Sequence, residues 1–172
     1  MRLFKPDEYL TDVLAIDLER LRREGIEALL MDLDNTLLPR DTSAVPPEME
    51  AWVRALPDAG FRVCLISNNF HDRVVEVSAE LGLPLVAKAV KPLPFAFLRA
   101  LKKIGARRRQ TVVVGDQYFT DILGGKFIGC RTIMVLPQST SDLPHTLVLR
   151  RLEAVIMGGE AAQGPGEGGT SR

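Results

Sequence analysis

Residues 29–38 read LLMDLDNTLL, an apolar run that passes without a break into two aspartates one residue apart. Leu29, Leu30 and Met31 have the continuous apolar character of a strand covered on both faces, which is the pattern of a parallel sheet. Carboxylates beside a core are costly unless they are paired, hydrated or bound to a cation. In open α/β sheets, ligands lie beyond the carboxyl ends of the strands at a switch point in strand order, so acids at the end of this strand mark where a site is expected.

The alternation continues outward from that stretch. IEALLMD, RVCLIS, PLVA, TVVVGD and RTIMV read as strands, and PEMEAWVRAL, HDRVVEVSAELG, PFAFLRALKKIG, TDILGGKFIG and PHTLVLRRLEAVIM read as helices. Gly60, Gly82 and Gly105 close three of the helical stretches. Strands alternating with amphipathic helices predict a doubly wound, Rossmann-like α/β fold around a parallel sheet. One domain is expected over residues 1–157, with an N-terminal helical segment at 1–25. The Gly-rich end, 158–172, has almost no apolar side chains and is expected to be a disordered tail.

Lys plus Arg and Asp plus Glu stand at 22 each in 172 residues. That balance removes the bulk positive charge expected of a nucleic-acid partner, so recognition of a charged ligand must be local. Cys64 and Cys130 lie inside apolar runs without metal-ligand spacing, and read as buried free thiols suited to a reducing cytoplasm. No apolar run approaches the roughly 20 residues needed to span a bilayer, so a cytoplasmic or peripheral membrane location is expected.

The strand ends collect the chemistry: Asp32 to Thr36, Ser67 to Asn69, Lys91 with Pro92, and Gly115 to Asp121. Asp32 and Asp34 face the same side if the strand persists that far, and Asp116 from another strand completes an oxygen cage. Hard carboxylate ligands with no nearby His or Cys suit Mg²⁺ rather than zinc. Asp is a ready nucleophile because it is ionised at neutral pH, which casts Asp32 as the group that attacks phosphorus. Asp34 is then the acid and base for the leaving oxygen and for the hydrolytic water. Ser67 donates to a phosphate oxygen and Lys91 stabilises the charge of the transition state. Asn35, Thr36 and Asn68 complete the set expected around the phosphate. Asp121 is expected behind it, holding the lysine or a metal-bound water.

These four ordered motifs, D-L-D-N-T, S-N-N, K-P and G-D-Q-x-x-T-D, resemble motifs one to four of the haloacid dehalogenase (HAD) superfamily, from about Leu29 to Val135. The resemblance implies a phosphomonoester hydrolase with an aspartyl-phosphate intermediate. It assigns Asp32 as nucleophile, Asp34 as acid/base, Ser67 as phosphate ligand, Lys91 as charge stabiliser and Asp116 as metal ligand. It also implies that Asp34 meets the metal only through its backbone carbonyl, which frees its side chain for proton transfer. Asn35, the Lys5 to Tyr9 start and the G-D-Q motif are most similar to the YqeG-like branch of subfamily IIIA, related to phosphatidylglycerophosphate phosphatases.

The intervals between motifs are too short for the cap domain with which many such enzymes enclose small metabolites. An open site admits a bulky substrate, such as the headgroup of an anionic phospholipid at a membrane surface. A soluble nucleotide or sugar phosphate is the alternative substrate. The N-terminal segment has an apolar face (Leu3, Phe4, Tyr9, Leu10, Val13, Leu14) that either packs on its own domain or lies at a membrane interface. Gly124 and Gly125 are expected to bring backbone close to the fourth-motif loop. A receiver-type signalling domain shares much of this chemistry on a similar sheet, but there the lysine comes near the end, whereas here it precedes the G-D motif. A phosphate-binding module without turnover is the third reading, and the retained Asp34 argues against it. Oligomeric state has no signature in the sequence.

Overall fold

A computed structural model describes residues 5–42 and 44–139. The expected helix at 144–157 and the expected tail at 158–172 lie outside the described residues. Strand β1 (Glu8–Leu10) is followed by a 3₁₀ turn at Val13–Ala15 and by helix α1 (Leu18–Arg23). Then come β2 (Ala28–Asp32), α2 (Pro47–Ala55), β3 (Arg62–Ile66), α3 (Asp72–Leu81), β4 (Leu85–Val86) and α4 (Pro94–Lys103). β5 (Thr111–Gly115), a π-helical turn at Tyr118–Ile122, α5 (Leu123–Phe127) and β6 (Arg131–Val135) complete the order.

All six strands are parallel, in the order β1-β6-β5-β2-β3-β4. The chain builds from β2 outward through β3 to β4, then returns to the other side of β2 for β5 and β6. The switch point therefore lies between β2 and β5, where Asp32 ends the first strand and Asp116 follows the second. The doubly wound parallel sheet read from the sequence is the observed fold.

Continuous apolar strands let the sheet bury both faces. Leu29 and Met31 join Val63, Leu65, Val112 and Val114 on the face covered by α2 and α3, through Met49, Val53, Val74 and Val77. Leu30, between them in sequence, points the other way into a second cluster with Cys64, Ile66, Val113, Phe97 and Leu101, under α4. The period-two alternation of a strand is present, with both faces apolar. Burial of a side chain such as Phe97, which is fully enclosed, contributes roughly 1.5–3 kcal/mol.

The N-terminal segment departs from expectation. Within residues 1–25, read as helical, Glu8–Leu10 forms a strand that extends the sheet beside β6. The strand has no residue buried, so no apolar periodicity announced it. Tertiary partners specify it instead: Asp7 accepts from the Thr132 backbone N–H (2.8 Å) and hydroxyl (3.1 Å) and pairs with Lys126 (2.6 Å). Of the apolar face, Val13 is fully buried and Leu10 packs on the core, while Tyr9 and Leu14 stay exposed. Gly124 and Gly125 also serve another purpose than the one expected. A Cβ at Gly124 would overlap the Phe97 ring, and one at Gly125 would meet Thr132 and Val113 at 2.8 and 3.0 Å, so the pair seats α5 on α4 and the sheet.

Between β2 and β3 the described chain holds α2 and loops, and between β3 and β4 it holds α3. Among the described residues there is no cap domain.

Candidate active site

Strand β2 ends at Asp32 because the chain then turns: Leu37 and Leu38 both donate to the Leu33 carbonyl, at 3.1 and 2.9 Å. Asn35 takes the left-handed conformation, φ 66°, that Asn tolerates better than most residues. Its side chain reaches the segment after β6. Asn35 Oδ1 accepts from the Ser139 backbone N–H (2.9 Å) and hydroxyl (3.0 Å), and its amide donates to the Ser139 carbonyl (3.3 Å). Asn35, expected to contact phosphate, is thus spent on anchoring the motif loop, because a buried amide must satisfy its polar atoms locally.

The turn also separates the two aspartates. The carboxylates that converge are those of Asp32, Asp116 and Asp121, all buried, with ligand oxygens within 4.8 Å of one another. Asp34, put in the metal cage by strand geometry and freed from it by the family resemblance, has its side chain outside this trio. It lies beyond the strand end, half-buried, and its Oδ2 accepts from the Ser67 hydroxyl at 2.5 Å. The same-side argument needed a strand running through Asp34, and the strand stops two residues earlier. Asp121 holds Lys91 as expected, and its carboxylate also belongs to the trio.

Lys91 is the cation of the group. Its Nζ donates to Asp32 Oδ1 (2.5 Å), to Asp121 Oδ1 (2.6 Å) and to the Ile66 carbonyl (3.4 Å), with only 3 % of the side chain exposed. Two left-handed non-glycine residues, Lys88 (φ 51°) and Val90 (φ 52°), shape the loop that delivers it. For a β-branched residue that conformation costs about 1–3 kcal/mol, sustained here by the loop's contacts. Asn68 accepts from the Lys91 backbone N–H (2.7 Å), Ala89 N–H donates to the Ser67 carbonyl (3.0 Å), and Lys88 N–H donates to the Asn69 carbonyl (3.3 Å). Asn68, expected at the phosphate, uses its side-chain carbonyl to tie the second and third motif loops. Ser67 is fully buried, and its hydroxyl also accepts from the Asn69 N–H (3.0 Å). The Thr36 hydroxyl, in the same motif loop as Asp34, is buried with no hydrogen-bond partner among the described residues, an unmet donor that suits an anionic ligand.

Asp121 depends on a glycine that sequence reasoning passed over. A Cβ on Gly115 would overlap the Asp121 carboxyl group, so only glycine leaves the carboxylate room against the end of β5. The signal was present as a Gly closing an otherwise β-branched strand. Asp121 Oδ2 also accepts from the Gln117 N–H (3.2 Å), as the π-helical turn, a feature frequent at functional sites, wraps over it.

The electrostatics follow from burial. Burial raises the Asp32 carboxyl well above its usual value; Lys91 pulls it down, while Asp121, Asp116 and Asp34 push it up. Burial opposes the Lys91 charge, yet Asp121 and Asp32 outweigh it and hold the ammonium above its usual value. Three carboxylates facing one ammonium leave a deficit of two positive charges in a buried place. The donor set of three hard oxygens fits a divalent ion such as Mg²⁺ in charge and in chemistry.

A parallel sheet with a switch-point cluster of acids and one lysine defines a hydrolase-like α/β enzyme. Residues 7–129 match the family model of the haloacid dehalogenase-like hydrolases, and the chain belongs to that family. It is 36% identical over 156 residues to the probable phosphatase YqeG of Bacillus subtilis, covering 91% of each chain. It is 28% identical over 162 residues to phosphatidylglycerophosphate phosphatase 1, chloroplastic/mitochondrial, of Arabidopsis thaliana, covering 88% of this chain and 47% of that one, so it spans about half of that relative's length. The fold is similar to the crystal structure of a HAD phosphatase from Thermococcus onnurineus, with a TM-score of 0.57 at 17% identity, covering 78% of this chain and 99% of the other. The chain is a phosphatase of the HAD family.

Proposed function

We propose that this phosphatase is Mg²⁺-dependent, works through an aspartyl phosphate on Asp32, and takes a phospholipid phosphomonoester of the phosphatidylglycerophosphate kind. The observation that carries the mechanism is the division of labour among the acids. Asp32, Asp116 and Asp121 crowd together around Lys91, while Asp34 stands apart with Ser67. Crowded carboxylates favour a cation, and a separate half-buried carboxylate is free to carry a proton.

Asp32, Asp116 and Asp121 are the residues that would hold the ion, which supplies charge neutralisation and alignment for the phosphoryl group. Asp32 attacks phosphorus as the ester oxygen departs, and Asp34 gives that oxygen its proton. Asp34 then takes a proton from the water that attacks the aspartyl phosphate, releasing inorganic phosphate and restoring the Asp32 carboxylate. Lys91, already bonded to Asp32, offsets negative charge that grows on the phosphoryl oxygens. The Ser67 hydroxyl turns from Asp34 to donate to one of those oxygens, and the Thr36 hydroxyl is the second side-chain donor. Asn35 and Asn68 act indirectly, by holding the loops that present Thr36 and Lys91.

The substrate class rests on the similarity to the plant phosphatidylglycerophosphate phosphatase and on the absence of a cap among the described residues. Phosphate release from phosphatidylglycerophosphate in mixed micelles, measured beside a panel of soluble esters with Mg²⁺ and with EDTA, tests the reading. A higher kcat/KM for the lipid, lost with EDTA, is expected. A preference for a nucleotide or sugar phosphate would keep the mechanism and discard the substrate. Asp32→Asn should abolish turnover with the fold intact, and an unaltered rate in that variant would refute the nucleophile.

A further inference from the structure

Net charge is zero for the chain, but it is not spread evenly. From Leu81 to Gly115 the sequence holds eight Lys and Arg and no Asp or Glu. Lys91 is the buried site lysine, whereas Lys88, Arg99, Lys102 and Lys103 are exposed, and so is the run Arg107 to Arg109. The Arg107–Arg109 run precedes β5 and so lies at the end of the sheet away from the site. The other four lie on the β4–α4 loop and on the outer face of α4.

The same region exposes large apolar side chains. Phe95 is 77% exposed, Val90 62%, Phe70 59%, Leu93 48% and Leu98 42%. Each belongs to the second or third motif loop or to the first half of α4, so they lie on the β3–β4 side of the sheet end that carries the site. Val90 immediately precedes Lys91, and Phe70 comes three residues after Ser67. Val90, Leu93, Phe95, Ala89, Val86 and Arg99 line a concavity of about 250 Å³. Phe70 lies under the Lys88 ammonium, 3.8 Å from ring centroid to Nζ, so apolar and cationic groups are interleaved. On α4 the outward positions 95, 98, 99, 102 and 103 follow helical spacing, with the apolar pair at the end near the site and the cations further along.

We infer that this rim docks on the surface of a bilayer containing anionic phospholipid. Phe95, Leu93, Val90 and Phe70 would enter the interface, and Lys88 and Arg99 would meet phosphate headgroups. The inference deepens the proposal of a lipid phosphomonoester substrate and rests on it for the direction in which the site faces. The choice of occupant rests on charge complementarity. Exposed apolar side chains beside cations, from Lys88 to Lys103 with no acid between them and with Phe70 packed on Lys88 from outside that span, match an anionic interface, which rewards buried apolar area and adjacent Lys and Arg together. Membrane and site then share one rim, so a lipid headgroup reaches Asp32 without leaving the bilayer. An uncapped site gains from the same contact, since the bilayer covers it.

Sedimentation of the full chain with vesicles tests this. Wild type is expected to sediment with phosphatidylcholine vesicles carrying phosphatidylglycerol, to stay in solution with phosphatidylcholine alone, and to be released by salt. Phe95→Ser and Leu93→Ser should each weaken partitioning by about tenfold or more, and Arg99→Gln by about fivefold. All three variants should hydrolyse a soluble phosphomonoester at the wild-type rate, which shows them folded. Equal sedimentation of variants and wild type would overturn the assignment of this face. So would no wild-type capture, or a concentration-dependent dimer abolished by Phe95→Ser. Lipid phosphate turnover without vesicle capture would leave the proposed function standing and remove the docking surface. Capture lost in the variants, with turnover of soluble esters only, would support the surface and remove the lipid substrate.

Discussion

Asn35 shows how much one residue decides here. It turns the chain out of β2 at a positive φ, holds Ser139 by three hydrogen bonds, and thereby separates Asp34 from the acidic trio. Asn35→Ala keeps none of those bonds and meets the left-handed penalty of about 1–2 kcal/mol, with a further cost of about 1–3 kcal/mol for the buried partners left unmet. Its urea midpoint should fall clearly, and kcat should fall with it as the motif loop loosens. Asn35→Gly should recover the backbone part only, and a wild-type midpoint in Asn35→Ala would contradict this account. The thiols make a different prediction. Burial pushes Cys64 up to about 11 and Cys130 up to about 12. A value raised in the folded state means stability that is complete below the unfolded thiol value, near 9, and is lost as pH rises toward 11–12. Thermal melts should therefore decline above pH 9, and Cys64→Ala/Cys130→Ala should flatten that decline although it begins from a lower Tm.

Elements are seated by small residues and by one carboxylate. Gly124→Ala would drive a methyl into the Phe97 ring, so the roughly 1 kcal/mol gained in helix propensity is outweighed by about 1–3 kcal/mol of overpacking. The variant should unfold at lower urea. Adding Phe97→Leu should restore part of the loss, a coupling that a double-mutant cycle measures. Strand β1 is fastened by Asp7. Burial alone would raise its carboxyl, but the hydrogen bonds and charge of Lys126 with those of Thr132 hold it below its usual value. A lowered value contributes stability that is present above about pH 4 and is lost as pH falls through the folded value. Asp7→Asn should accordingly be less stable than wild type at pH 7, with the gap closing in acid. A constant gap across pH would show that the pairing matters only sterically.

For the molecule as a whole, the proposed binding of one divalent ion at the switch point would couple site to stability. A ligand that binds only the folded state at about 100 times its Kd adds about 2.7 kcal/mol. Mg²⁺ should raise Tm in wild type, EDTA should reverse the shift, and Asp116→Asn should diminish it while leaving the metal-free Tm close to wild type or higher, since one of three crowded acids is neutralised. The rim around Phe95 places the same site at a surface where apolar and basic groups meet, and both features belong to the fold as a whole rather than to any one element.

The order of strands and helices from Ala28 to Val135 was legible in the sequence, because apolar runs of strand length and helices closed by glycine carry their own periodicity. So was the meeting of Asp32, Ser67, Lys91 and Asp116 at one end of the sheet, because the carboxyl ends of parallel strands all lie on the same edge. Strand β1 was not legible, since three residues without a buried face have no pattern and gain their place only from β6, Thr132 and Lys126. Residue spacing alone did not part Asp34 from the acidic cluster, although the family resemblance implied it, and it set Asp121 on Lys91 without bringing it into the trio. Both depend on where a strand stops and on the space that Gly115 leaves. Spacing along the chain names the residues that can meet, while the backbone turn at Asn35 and the packing at Gly115 decide which of them do.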